Sequence, residues 1–410
     1  MSNYAIDIED IKQAAAAISD KISATPLMSA PRLSELTGAT IFVKYENMHP
    51  TGAFKERGAL NKLMSLTPEE RLNGVIAMSA GNHAQAVAYH SRLLGIPATI
   101  IMPTSTPIVK AENTRIHGAE VILYGESLAE SATRARELAN ERELTFVHPY
   151  DDPAIIAGQG TVALEILAAA PDIDMIVAPI GGGGLISGIA IAAKALKPDI
   201  QIIGVEAALY PSYTNALGDT DLPVGGQTLA EGIAVKTIGE RNFPIVRDLV
   251  SDIFIVDESE IEAAVNSYAT LQRTMAEGAG AAGLAAVMAF PEFFKGKRVA
   301  LVLSGGNIDA RILASIMIRE LERCERITSI RITTNDAPGL LGRVASRLGD
   351  LGANILEVSH RRLFLDVPAK GVSIDITIET RDATHTSEVI DALKQDGLAP
   401  QVLSSLRATS

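Results

Sequence analysis

The 410-residue chain has one cysteine, Cys324, no tryptophan and only 4% aromatic residues. One thiol can form no internal disulfide and no metal cluster by itself, and such sparing use of cysteine suits a reducing cytoplasm. Positive charge is short: 36 Lys and Arg against 49 Asp and Glu leave a formal net charge of −13. Affinity for nucleic acid rests on Lys and Arg contacts to phosphate, so nucleic acid is set aside as a partner. Long apolar runs are also missing. The longest, GAGAAGLAAVMAF at 278–290, falls short of the roughly 20 residues a bilayer span needs. It is flanked by Glu277 and Glu292 and reads as a buried helix, with no membrane as partner. The acidic start MSNYAIDIED lacks the apolar core of a signal peptide, which again suits the cytoplasm.

What is present is globular, with 47% hydrophobic and 21% charged residues and enough length for two or three cores. Short apolar or β-branched runs alternate with helical patterns: residues 40–46, 75–79, 98–102, 120–124, 175–180, 200–206 and 298–304 read as strands. Strict alternation implies an α/β fold with crossover units on parallel sheets. These strands are many for one sheet, so two sheets facing a cleft are expected. Near residue 325 the pattern changes. Strand 329–334, helix 339–352, strands 353–360, 362–367 and 371–380, helix 385–397 and strand 400–406 suggest a βαββαβ, ferredoxin-like unit. The expected division is 1–325, with a smaller subdomain at about 48–150, and 326–410.

Three glycine-framed segments carry chemistry. In APIGGGGLISG a strand ends at Ile180 and Gly181, Gly182, Gly183 and Gly184 lead through Leu185 into a helix. Residues without Cβ let successive amides turn toward one point, which suits a phosphate, whereas a plain strand-to-helix turn needs only one glycine. In SAGNHAQA the side chains of Ser79, Asn82 and His83 offer hydrogen bonds beside helix-start amides at another strand-to-helix switch, fit for a carboxylate or phenolic oxygen, or with Ser79 or Asn82 as a helix cap. LVLSGGN ends a strand at Ser304, where α/β sheets hold ligands, although a plain turn reads as well. Lys55 follows Phe54 on the turn PTGAFKERGA. A phosphate cradle, a lysine on a partly apolar turn, an amide and a neutral hydroxyl together fit pyridoxal 5′-phosphate, whose aldehyde needs a lysine able to lose its proton.

Residues from about 20 to 320 resemble the fold-type II pyridoxal-phosphate enzymes, which are tryptophan synthase β-like, and specifically their threonine/serine dehydratase branch. The stretches that match are TPLMSAPRLSE, ENMHPTGAFKERGA, SAGNHAQAVA, HPYDDPAIIAGQGT, PIGGGGLISG, TLAEGIAV and SGGN. Residues 327–405, with NDAPGLLGRVASRLGDLGANILEV, resemble an ACT domain, a module that binds amino-acid effectors and pairs across subunits. The resemblance implies that Lys55 holds the cofactor as a Schiff base and then removes the substrate's α-proton. Phe54 packs on the ring, Asn82 donates to its phenolic oxygen, and Gly181 to Leu185 bind phosphate. Ser79, Gly81 and His83 receive the substrate carboxylate, and Ser304 meets the pyridine nitrogen. A hydroxyl there does not enforce a pyridinium, so the electron sink is moderate and favours loss of a β-hydroxyl. The implied reaction turns L-threonine, and L-serine, into a 2-oxo acid and ammonia, in a homo-oligomer regulated by an amino acid.

Where related serine racemases place a cation, this chain reads VEAALYPSY at 205–213: Glu206 remains while Tyr210 and Ser212 stand at the other ligand positions. One carboxylate makes a poor divalent site, so a metal at Glu206 is doubtful. Glu277 has a possible place near the cofactor, with a carboxylate favouring a helix start as the simpler reading. Serine racemase and hydroxyaspartate dehydratase chemistry remain alternatives within the fold, and an ACT-based amino-acid sensor is the alternative without catalysis.

Overall fold

The run MIVAP at Met175–Pro179 forms a strand buried at every position, as a parallel strand covered on both faces must be. Its six-stranded sheet runs in the order Leu27–Ser29, Thr40–Tyr45, Arg298–Leu303, Met175–Pro179, Gln201–Ala207, Asp252–Val256. Only the edge strand Leu27–Ser29 is antiparallel to its neighbour. A second sheet holds four parallel strands in the order Glu120–Leu123, Ala98–Met102, Val75–Met78, Thr145–Phe146. The expected α/β architecture with two sheets is what the chain adopts. Leu27–Ser29 and Thr145–Phe146 were not anticipated because three and two residues show no alternation. Asp252–Val256 was not anticipated either, starting only three residues after helix Asn242–Leu249 ends.

Helix Pro153–Ala169 sets the spacing around the cleft. It starts on Asp152, whose carboxylate accepts from the amides of Ala154 (2.8 Å) and Ile155 (3.3 Å), with proline at the first helical position. Its AGQG segment brings two other helices to backbone contact. A Cβ on Gly158 would lie 2.6 Å from Gly58 Cα, and one on Gly188 would lie 2.3 Å from the Ile156 carbonyl oxygen. Helices Lys55–Met64 and Gly184–Leu196 therefore pack on one spacer at a distance that no larger residue would permit. The Ala/Gly-rich run read as a buried helix forms helix Gly278–Ala289, buried through Val287.

The computed structural model describes residues 4–218, 220–361 and 371–403. They divide into Met1–Asp309 and Ala310–Ser410. The second unit has its own core, including Ile330, Val344, Ile374 and Val389. Its antiparallel sheet runs Asn354–Arg361, Gly371–Glu379, Ile327–Asn335, Pro400–Val402, with helices Leu340–Asp350 and Ala383–Gln395. That is the βαββαβ order. The expected strand 362–367 lies outside the described residues. Helix Ala310–Arg323 is counted with this unit, so the division falls at Asp309 rather than at 325.

Candidate active site

Lys55 opens helix Lys55–Met64 and is partly buried. Its Nζ lies 5.1 Å from the centroid of the Phe54 ring and donates to the Pro149 carbonyl at 2.7 Å. Burial pushes its pKa down to about 8, against the opposing pull of the Glu277 carboxylate. An amine that gives up its proton near neutrality is both nucleophile and base. The next two residues hold the helix in place. Arg57 Nε donates to Glu46 at 2.7 Å and Nη1 to Glu165 at 2.6 Å, and Glu56 meets His90 Nε2 at 3.0 Å. In front of the lysine, the Phe54 amide donates to the Ser304 carbonyl at 3.0 Å, joining this turn to the end of strand Arg298–Leu303. Ser304 itself is 2% exposed.

The four glycines follow strand Met175–Pro179, and the helix begins at Gly184. Gly183 has φ +96°, a left-handed conformation. A Cβ on Gly182 would fall 2.2 Å from the Tyr150 ring. The Gly182 carbonyl accepts from Tyr213 Oη at 3.1 Å and Asn242 Nδ2 at 3.2 Å, which turns the peptide units the other way. Among the described residues, the amides from Gly181 to Ile186 find no acceptor in the chain. A row of unspent N–H groups at the start of a helix, with no side chain over it, fits a phosphate. Segment 148–151 ties this cradle to the lysine, since Pro149 takes the Lys55 proton donor and Tyr150 covers Gly182. The residues fit pyridoxal phosphate.

The amides of Asn82, His83 and Ala84, at the start of helix Asn82–Leu94, are also without acceptors among the described residues. Ser79 Oγ accepts from the Gly81 amide at 3.1 Å. The His83 side chain, expected to offer a hydrogen bond here, does not: its buried ring donates from Nε2 to the Val147 carbonyl at 3.0 Å. Burial, with the Lys55 charge adding to it, pushes that ring's pKa down to about 3, so it stays neutral and only the His83 amide is free to serve. Asn82 Nδ2 donates to Glu277 Oε1 at 2.8 Å. Glu277 is the N-cap residue of helix Gly278–Ala289, the helix-start place expected of its carboxylate, and makes no side-chain capping bond there. Burial pushes its carboxyl up to about 7, partly offset by the Asn82 hydrogen bond.

Glu206 has another task than metal binding. Its buried carboxylate accepts from the amides of Tyr213 (2.7 Å) and Thr214 (2.9 Å) and from Thr214 Oγ1 (2.7 Å) at the start of helix Ser212–Gly218. Ser212 Oγ donates to the Val235 carbonyl at 2.7 Å and Tyr210 Oη to the Gly226 carbonyl at 2.8 Å. The Glu206 carboxylate thus takes three donors of its own chain. Among the described residues no group of three or more His, Cys, Asp or Glu could hold a metal, and no helix is long and apolar enough to cross a membrane. Tyr150, Tyr213 and Asn242 were missed because each meets the glycines from a distant segment. No local spacing announces such a contact.

The model of the pyridoxal-phosphate dependent enzymes matches residues 18–305, and that of the ACT domain residues 328–397. The chain belongs to the fold-type II pyridoxal-phosphate dependent enzymes, with an ACT domain following the catalytic fold. Among its relatives, L-threonine ammonia-lyase of Thermotoga maritima is 41% identical over 97% of this chain and 100% of its own length. Maize serine racemase superposes with a TM-score of 0.73 at 35% identity, covering 78% of this chain and 99% of that one. The processed form of threonine deaminase isoform 2 from Solanum lycopersicum has a TM-score of 0.72 at 35% identity, over 77% and 90% of the two chains.

Proposed function

We propose that the chain eliminates the β-hydroxyl of L-threonine, and of L-serine, to give 2-oxobutanoate or pyruvate and ammonia. The observation that carries this reading is the end-to-end likeness, through both units, to an L-threonine ammonia-lyase. The site supports it. When bound, pyridoxal phosphate supplies the electron sink that makes the substrate's α-hydrogen acidic. Gly181, Gly182, Gly183, Gly184 and Leu185 offer amides to its phosphate, Lys55 carries it, Phe54 flanks it, and Ser304 presents a neutral hydroxyl to its ring nitrogen. The amides of Asn82, His83 and Ala84, together with Ser79, orient the substrate carboxylate, while the Gly81 amide is held by Ser79 Oγ. Lys55 Nζ, uncharged in a useful fraction near neutral pH, accepts the α-proton.

The ACT unit is the place for an amino-acid effector. At its Gly339 turn (φ +78°) the helix Leu340–Asp350 starts without a side-chain cap, leaving amides for a carboxylate. Its edge strand Asn354–Arg361 exposes Leu356 and Val358, which supports pairing between copies in a homo-oligomer. Assay of 2-oxo-acid and ammonia release across L- and D-amino acids tests the activity. The expected result is preference for L-threonine and L-serine, and release from neither would refute it.

A further inference from the structure

Asn307 Nδ2 donates to the Thr51 carbonyl at 2.7 Å and to Asn82 Oδ1 at 2.8 Å, and Asn82 Nδ2 passes the chain on to Glu277 Oε1 at 2.8 Å. The direction of this chain is set at its Thr51 end. A backbone carbonyl only accepts, so the Asn307 NH2 must face Thr51, and its second proton goes to Asn82. That places the Asn82 oxygen on the Asn307 side and its NH2 toward Glu277. One Asn82 N–H is spent on Glu277 and one remains.

Two sequence motifs clear the way for these side chains. A Cβ on Gly52, in TGAFK, would stand 2.5 Å from Asn307 Oδ1. A Cβ on Gly305, in SGGN, would stand 2.4 Å from Glu277 Oε1 and 3.2 Å from Asn82 Nδ2. The two turns are also joined directly, since the Gly306 amide donates to the Gly52 carbonyl at 2.9 Å. The glycines beside Lys55 and Ser304 thus make room for an amide relay.

We propose that Asn307 and Glu277 are positioning residues that lock the Asn82 amide, leaving its one unspent N–H as the donor to the phenolic oxygen of the cofactor ring. This rests on the assignment of pyridoxal phosphate to the site. An unrestrained asparagine amide has two orientations, one of which sets oxygen against oxygen, and the lock removes that one.

The test is titration of pyridoxal phosphate into cofactor-free wild type, N307A, N82A and the double variant, with the pH midpoint of the bound cofactor's visible absorption as a second readout. N307A should bind up to about tenfold more weakly, the worth of one hydrogen bond, and its midpoint should move. The double variant should bind no worse than N82A, because nothing is left to position. N307D, similar in size but unable to donate, replaces N307A if the latter fails to fold. Additive losses, or unchanged affinity and midpoint in the Asn307 variant, would overturn the proposal. A wild type that shows no visible absorption with the cofactor would overturn the site assignment itself, which keeps the two failures apart.

Discussion

At the scale of single residues, the decisive quantity is the cost of charging Lys55. Burial lowers its pKa from 10.5 to about 8 in the folded chain. Between those values the unfolded chain binds more protons than the folded one, so this residue makes stability rise with pH across that window. K55A should abolish the rise in the cofactor-free protein, read as thermal midpoint against pH. In the loaded protein it should remove the covalently bound cofactor's absorption and cut turnover by several powers of ten, as loss of a covalent catalyst does. Near-normal turnover would overturn the role given to Lys55. Ala80 is decisive in another way. Racemisation needs an acid on the face opposite the base, which the likeness to serine racemases implies is a serine at this position, and the methyl of Ala80, just before the N-cap Gly81, can neither donate nor accept a proton. Chiral chromatography of a reaction on L-serine should show pyruvate well ahead of D-serine, and A80S should raise the D-serine fraction. D-serine accumulating as fast as pyruvate in the wild type would refute this reading of Ala80.

At the scale of elements, the lysine's helix is held by a buried charge network. Arg57 donates to Glu46 through Nε and Nη2, at 2.7 and 2.8 Å, and through both terminal nitrogens to Glu165, joining this helix to the turn Glu46–Met48 that follows strand Thr40–Tyr45 and to helix Pro153–Ala169. R57M leaves Glu46 buried beside His49 without its main partner and should cost about 3–5 kcal/mol, measured by urea unfolding of the cofactor-free protein. A loss below about 1 kcal/mol would show that the network is not what fixes the helix. Nothing local in KERGALNKL announces this network, because its partners lie eleven residues back and 108 residues ahead. Seven of the ten strands of the two sheets were legible, since each of those runs is apolar or β-branched, is bounded by turn residues and forms a strand to within one residue. The glycine segments were legible for the same reason: a residue type with a backbone meaning stands at a strand end. What stayed hidden depends on long-range contact, such as Tyr150 over Gly182 or Glu277 beside Asn82. His83 is the instructive error. Its place at a helix start suggested a free side chain, while the Val147 carbonyl, 64 residues on, had already taken the ring.

At the scale of the molecule, the chain is two units with separate cores, and every residue given a part in the chemistry lies in the first. The parallel sheets that hold Ser79, Gly181 and Ser304 at their carboxyl ends are complete by Leu303, so no strand of the second unit is needed to build the cleft. The second unit, by contrast, has a hydrophobic cluster of its own that includes residues of its helices Leu340–Asp350 and Ala383–Gln395. Coupling between an effector there and the chemistry is then a free energy passed between two independently stabilised bodies, and it can be removed without removing either site. A chain ending at Glu325 should therefore keep its 2-oxo-acid release in the absence of effector while losing every response to added amino acids. The intact chain, titrated calorimetrically with each common amino acid in turn, should bind one of them in addition to its substrate, and the shortened chain should not. Linkage adds a stricter demand: the effector that changes substrate affinity must have its own affinity changed by the same factor when substrate is present. An effector response that survives in the shortened chain would place the regulatory site in the first unit and refute the role given to the second.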